Sequence, residues 1–138
     1  MATADGVLMM AAEDLRLANN CIWYYKQNYG KQGYIQAKNY AAFHLQQAVE
    51  KVIKFQILVI NSSLQNERWY RTHNLVTLIN KSAMHKVYIS VPKELKPYLK
   101  KLTDWVGGVR YGDIKGVRIS TVEKIYNLIV IWYNSFNK

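Results

Sequence analysis

Imidazole is the side chain best suited to general-base chemistry near neutral pH, and this chain carries three histidines. His73 is the strongest candidate because Arg68 and Arg71 precede it at the predicted entrance to a helix. One imidazole and two guanidinium groups in this order could converge on a phosphate. Arg68 and His73 are therefore candidate catalytic residues, and Arg71, His73 and Asn74 are candidate ligand-binding residues. A capping or inter-helix role for His73 is the competing interpretation.

The other two histidines each have a structural explanation. His44 follows Phe43 inside a long apolar helical pattern, where packing or hydrogen bonding at a helix interface is expected. His85 is predicted at the end of a helix, where its charge would suit the helix dipole. The sequence contains no glycine-rich phosphate loop followed by a lysine, no serine nucleophile elbow and no zinc-binding helix pair of histidines. Neither a metal ion nor another cofactor is expected.

Two further groups of residues could contact a phosphate or a base. Arg110 and Tyr111 combine a planar bidentate donor with an aromatic ring, although helix-end capping and core packing would explain them equally well. Gln47, Lys51 and Lys54 follow one another at steps of four and three, so they share one face of a predicted helix. This row could line a ligand-binding groove, or it could simply be a solvated face.

The composition is that of one globular domain built from long helices. Half of the 138 residues are hydrophobic and 20% are charged, and only two prolines and seven glycines interrupt the chain. The single cysteine, Cys21, excludes an intramolecular disulfide and is expected to be a buried, inert thiol, which fits a cytoplasmic location. The sequence predicts neither a signal peptide nor a membrane anchor.

The net charge of +10 is concentrated in the middle of the chain. Residues 26–118 contain sixteen basic and five acidic side chains, whereas residues 1–25 carry a net negative charge. Such a field attracts nucleic acids, nucleotides or an acidic protein, and a merely well-solvated basic surface is the alternative.

Apolar spacing of three and four residues predicts the first two helices. Helix one is expected over residues 5–25, and residues 26–36 are expected to form a loop around Gly30 and Gly33. Residues 37–60 carry the clearest pattern and should form the central, most buried helix. The seam of this helix consists of Ala41, Leu45, Ala48, Val52, Phe55 and Val59.

Three shorter helices complete the prediction. After a polar connection over residues 61–71, with Trp69 and Tyr70 at a contact surface, Thr72 or Asn74 should cap a short third helix. Residues 87–91 are expected to be a linker, and a fourth helix should run from Leu95 to about residue 110. A loop is expected over residues 107–116, followed by a last helix that begins at a capping box of Ser120 and Glu123. The predicted fold is all-α, an up-and-down antiparallel bundle of about five helices.

A family resemblance rests on three segments of the chain. Residues 40–58, YAAFHLQQAVEKVIKFQIL, resemble the central helix of HEPN domains, in which an aromatic residue and a QQAVEK core precede an apolar tail. The later segments THNL, residues 72–75, and RYGD, residues 110–113, resemble later landmarks of the same family and occur in the expected order.

This resemblance implies a helical bundle that frequently forms homodimers, and it implies two broad roles. One role is nucleotide or RNA binding beside a minimal nucleotidyltransferase partner, and the other is metal-independent ribonuclease activity in toxin and defence systems. Catalytic members use an arginine followed, after four to six residues, by a histidine, and the spacing from Arg68 to His73 is similar to this motif.

Three hypotheses follow from the sequence. The leading one is a non-catalytic binding module, dimeric, with a basic cleft near His73 and Arg110 that binds nucleotide or RNA or docks a nucleotidyltransferase. The second is a metal-independent ribonuclease that uses Arg68 and His73, and the third is a purely structural dimerisation unit.

Overall fold

Five α-helices and three short 3-10 helices form the structure, a computed structural model that describes the backbone of residues 1–111 and 117–137 and the side chains of residues 1–106 and 117–137. The α-helices are α1 (Ala4–Gln27), α2 (Tyr34–Ile60), α3 (Leu75–Met84), α4 (Leu99–Tyr111) and α5 (Ile119–Phe136). The 3-10 helices are Ser62–Asn66, Arg68–Arg71 and Lys96–Tyr98. The described residues contain no strand, and the predicted all-α, up-and-down antiparallel bundle is confirmed.

Helix α2 lies at the centre of the bundle, where it contacts α1, α3, α4 and α5. Its seam residues Ala41, Leu45, Ala48 and Val52 are fully buried, as their spacing predicts. The prediction is wrong for the end of the seam, because Val59 is 57% exposed. With 27 residues, α2 is longer than α4 or α5, which have 13 and 18 residues, so neither of these helices can cover its whole length.

A tight connection joins α1 to α2 and makes the two helices antiparallel. Thr3 caps α1 by accepting a hydrogen bond from the Gly6 amide at 3.0 Å. The predicted loop was too long, since α1 ends at Gln27 and α2 already begins at Tyr34. Gly33 makes this early start possible, because its φ of 87° turns the chain directly into α2.

The segment between α2 and α3 is folded into 3-10 helices rather than an open polar loop. The expectation that Trp69 and Tyr70 form a contact surface is wrong for Tyr70, which is buried. Trp69 is partly buried and its ring stacks on that of His85, with centroids 5.5 Å apart. The cap of α3 is Asn74 rather than Thr72, because the Asn74 side chain accepts a hydrogen bond from the Thr77 amide at 3.0 Å.

The linker over residues 87–91 is confirmed, and Gln56 on α2 holds it in place. The Gln56 side chain donates to the Ser90 carbonyl at 3.1 Å and accepts from the Ser90 amide at 2.8 Å. The indole of Trp132 on α5 donates to the same carbonyl at 3.0 Å. These bonds tie the linker to two helices of the core.

The boundaries of the last two helices differ from the prediction. The 3-10 helix that contains Pro97 precedes α4, so the α-helix begins at Leu99 and not at Leu95. Helix α4 continues through Gly107 and Gly108, and the rest of the predicted loop, residues 112–116, lies outside the described residues. The predicted capping box of Ser120 and Glu123 is wrong. Helix α5 already begins at Ile119, so Ser120 lies inside the helix, and no side chain caps its first turn. Glu123 instead forms an ion pair with Lys26 on α1, at 2.5 Å.

The thiol of Cys21 is only partly buried, whereas the sequence predicts a buried one. Burial nevertheless raises its pKa, which disfavours the reactive thiolate. In the part of the chain that the structure describes, no helix has the length and hydrophobicity needed to cross a membrane.

Candidate functional site

His73 is held by two residues of α2 that lie one turn apart. Its Nδ1 is 2.9 Å from Oε1 of Glu50, and a carboxylate can only accept, so the imidazole N–H donates this bond. The Gln46 amide donates to the His73 carbonyl at 2.9 Å. Glu50 and Gln46 are buried, whereas the His73 side chain is 60% exposed. The arrangement fixes the ring and leaves Nε2 as the nitrogen available at the surface.

Lys54 and Tyr70 complete the surroundings of Glu50. The Lys54 ammonium is 3.1 Å from Oε2 of Glu50, one turn away on α2, and it lies over the Tyr70 ring at 4.7 Å from the centroid. Burial, together with the nearby Glu50 charge, raises the pKa of Tyr70 to about 12. Tyr70 is therefore a neutral, apolar support beneath an ion pair.

Arg68 and Arg71 lie at the two ends of the 3-10 helix that leads into His73. Residues three apart in a 3-10 helix share one face, so both guanidinium groups are on the same side of this turn. Both arginines are exposed, and neither forms an ion pair with a described carboxylate. The structure thus places Arg68, Arg71 and His73 on one short surface segment, which we call the Arg-His segment.

Asn74 lies next to this segment but already has a structural role. Its side-chain oxygen caps α3 through the Thr77 amide. The Leu75 amide is bound by the Thr103 hydroxyl of α4 at 3.1 Å. Because the side-chain oxygen of Asn74 is used in this cap, its side-chain amide nitrogen is the atom that could bind a ligand.

A second histidine-carboxylate pair joins α1 to α2. Oδ1 of Asp14 is 2.9 Å from Nδ1 of His44, and Oδ2 of Asp14 is bound by the Lys51 ammonium. The expectation that His44 hydrogen-bonds at a helix interface is confirmed. Asp14 and Glu50 thus play the same part, since each buried carboxylate binds one histidine and one lysine.

Sequence reasoning did not select Asp14 or Glu50 as site residues. Glu50 gave no signal, because its neighbours one turn away on α2, Gln46 and Lys54, are polar. Asp14 did give one, because it lies on the apolar face of α1 between buried Ala11 and Ala18. A carboxylate at such a position requires a partner when it is buried. The predicted row of Gln47, Lys51 and Lys54 is therefore less available than expected, since both lysines are paired and the Gln47 amide donates to Gln46 at 2.6 Å.

Arg110 and Tyr111 form the last turn of α4, but their side chains lie outside the described residues. Their predicted contact with a ligand remains a prediction. In the described part of the chain, no three histidine, cysteine or acidic side chains are grouped in a way that could hold a metal ion.

The comparison with protein-family models assigns the fold to a family. The model described as HEPN domain matches residues 35–130, more than two thirds of the chain. The chain belongs to the HEPN domain family. In this HEPN domain the match begins at α2 and extends into α5, so it includes Glu50 and His73 but excludes α1 and Asp14. A search of the curated proteins and a search of the solved structures each gave no match.

Proposed function

We propose that this HEPN domain is a non-catalytic module that binds the phosphate groups of RNA or of a nucleotide at the Arg-His segment. The observation that carries the proposal is the bond from His73 to buried Glu50, at 2.9 Å, which orients the imidazole in the same surface segment that carries Arg68 and Arg71. Guanidinium groups bind phosphate oxygens in bidentate fashion and are less strongly hydrated than ammonium groups.

The distribution of ion pairs supports this assignment. The two buried carboxylates neutralise Lys51 and Lys54, so these lysines contribute little net charge to the surface. The exposed arginines of the Arg-His segment have no such carboxylate among the described residues. A diffusing polyanion would therefore be attracted to the Arg-His segment more strongly than to the lysine row of α2. Gln47, Lys51, Asn74, Arg110 and Tyr111 remain secondary candidates for contacts to the ligand.

A titration of the purified protein with ATP and with a short RNA, repeated at several salt concentrations, tests this function. Binding that weakens as salt rises is the expected result, because phosphate contacts release counterions. Absence of binding to both ligands at low salt would overturn the proposal.

Metal-independent ribonuclease activity is the second candidate, and the orientation of His73 favours it. When Nδ1–H is bonded to Glu50, the lone pair of a neutral imidazole lies on Nε2, where it can accept the proton of a ribose 2′-hydroxyl. Arg68 would then stabilise the charge on the phosphodiester. This activity predicts RNA cleavage in the presence of a chelator that His73→Ala abolishes without changing the helical circular dichroism. Wild-type protein that leaves varied RNAs intact would contradict it.

We also propose that the domain forms a homodimer, with a nucleotidyltransferase as a possible additional partner. Support comes from an apolar cleft of about 280 Å³ at the exposed end of α2. The residues that line the cleft are Phe55, Gln56, Val59, Ile60, Tyr88 and Phe136. A purely structural dimerisation unit would use such a surface without any nucleic-acid contact. Light scattering of wild type and Ile60→Lys tests this part, with a lower mass expected for the variant.

A further inference from the structure

Exposed aromatic side chains are concentrated at one end of the bundle. Among the described residues, the exposed large aromatic side chains in residues 23–40 are Trp23, Tyr24, Tyr29 and Tyr40, with exposures of 62%, 41%, 69% and 49%. Tyr88 is the one exposed aromatic of the described chain outside this stretch. Large exposed rings grouped together commonly mark a contact surface.

Three tyrosine rings at the α1–α2 connection contact one another. The ring centroids of Tyr25 and Tyr29 are 5.8 Å apart, those of Tyr25 and Tyr34 are 5.4 Å apart, and those of Tyr29 and Tyr34 are 5.2 Å apart. We call these three residues, together with Lys26 and Lys31, the aromatic tip. The contacts hold each ring against two others while Tyr29 remains 69% exposed.

The backbone of the connection is fixed, so the aromatic tip is preorganised. Gly30 and Gly33 have φ values of 80° and 87°, which a residue with a side chain rarely adopts. The Lys31 amide donates to the Asn28 carbonyl at 2.8 Å, and the Asn28 side chain donates to the Tyr24 carbonyl at 3.0 Å. Binding a ligand here would require little ordering of the loop.

The charge of the aromatic tip favours an anionic ligand. No acidic residue occurs in the sequence between Asp14 and Glu50, whereas Lys26 and Lys31 flank Tyr29. Lys31 is exposed and forms no ion pair with a described carboxylate, and Lys26 pairs with Glu123 of α5 while its side chain stays 50% exposed. An acidic peptide would satisfy this charge, but its carboxylates have no flat face to stack on the exposed Tyr29 ring, as unpaired bases have.

We propose that the aromatic tip is a stacking surface for the bases of single-stranded RNA. Unpaired bases stack on exposed aromatic rings, and nearby cations bind the phosphates that connect them. Paired bases in a duplex cannot reach the Tyr29 ring in this way. This proposal rests on the proposed function in one respect, which is that the ligand is RNA. The two sites are otherwise independent, because the aromatic tip shares no residue with the Arg-His segment.

Fluorescence anisotropy with a labelled twelve-nucleotide single-stranded RNA and with the matching duplex tests the proposal on the full-length protein. Tyr29→Ala is expected to weaken single-strand binding at least about fivefold, whereas Tyr29→Phe retains the ring and should bind as the wild type does. Ile131→Ala is the control for the loss of a large exposed side chain, because Ile131 is 69% exposed, as Tyr29 is, and belongs to neither the aromatic tip nor the apolar cleft. Lys31→Ala should reduce the salt dependence, by about 0.7 in the slope of log K against log salt.

The outcomes separate this proposal from the proposed function. Weakened single-strand binding by Tyr29→Ala, with Ile131→Ala unchanged, supports the aromatic tip. If Tyr29→Ala binds as the wild type does while Arg71→Ala binds weakly, the aromatic tip is overturned and the Arg-His segment stands. If the wild type binds no RNA at low salt, the aromatic tip is overturned, and phosphate binding at the Arg-His segment is overturned as well when ATP also fails to bind. Tyr29 contacts only the other two rings of the tip in its ring interactions, so a folding defect is not expected, and circular dichroism checks this directly.

Discussion

Glu50 and His73 lie 23 residues apart in the sequence, and their side chains meet at 2.9 Å, with the carboxylate buried and the imidazole exposed. A charge in the interior of the bundle thereby determines the orientation of a ring on its surface. Asp14 and His44 repeat the relationship between α1 and α2, also at 2.9 Å. The two pairs differ in access, since the His44 side chain is only 20% exposed, and for this reason the proposed ligand-binding role belongs to His73 and not to His44.

Replacing Glu50 by glutamine should destabilise the fold by about 2 kcal/mol, because it leaves the largely buried Lys54 ammonium without its negative partner. Glutamine keeps the shape of the glutamate side chain, so the loss of stability reports the removal of the negative charge. Urea denaturation followed by circular dichroism measures the free energy of unfolding. Glu94→Gln is the control, since Glu94 is exposed, and it should change stability by less than about 0.5 kcal/mol. Equal effects of the two substitutions would contradict this role of Glu50.

A double-mutant cycle at Asp14 and Lys51 should show strong coupling. Asp14→Asn alone leaves Lys51 and His44 without the buried carboxylate, whereas Asp14→Asn combined with Lys51→Met removes both charges. The double variant is therefore expected to lose less stability than the two single variants together, by about 1 kcal/mol or more. Additive free energies of unfolding would show that the pair does not interact in solution.

Local sequence patterns account for the helices better than for the site. The seam of α2 predicts its buried face because apolar periodicity follows the helix itself, and Asn74 caps α3 through a residue only three positions away. Ser120 and Glu123 matched an equally local pattern, but Lys26 on another helix binds Glu123 instead. Pairings such as that of Glu50 with His73 depend on how distant segments of the chain pack together. The spacing of apolar residues within one segment carries no information about that packing.

Tyr70 should ionise at a higher pH than an unperturbed tyrosine in an alkaline titration. Its folded pKa of about 12 is above the value of 10.0 for an unperturbed tyrosine, so the folded state retains the phenolic proton more strongly than the unfolded state does. The corresponding stability is complete below about pH 10 and is lost as the pH rises through about 12. Ultraviolet difference spectra of wild type and Tyr70→Phe, recorded as the pH is raised, measure the pKa of Tyr70. A Tyr70 signal that titrates near the ordinary pKa of 10.0 would contradict the burial and charge effects described.

Gln56 should contribute to stability through the linker rather than through a helix. Gln56→Leu removes both bonds to the Ser90 backbone and leaves the Ser90 amide without its partner, at an expected cost of about 1–3 kcal/mol. Gln36→Leu, at an exposed position of the same helix, is the matched control. Thermal unfolding compares the two variants, and the interpretation fails if Gln56→Leu is as stable as the control.

The most direct test of the central claim is RNA binding by Arg68→Ala/Arg71→Ala, compared with wild type and with Arg16→Ala. Arg16 is an exposed arginine on α1 that pairs with Glu13, so it serves as a control for the loss of positive charge alone. The double variant is expected to lose at least about tenfold in affinity at low salt and to show a weaker salt dependence, while Arg16→Ala should bind as the wild type does. Equal affinity of the double variant and the wild type would contradict phosphate binding at the Arg-His segment.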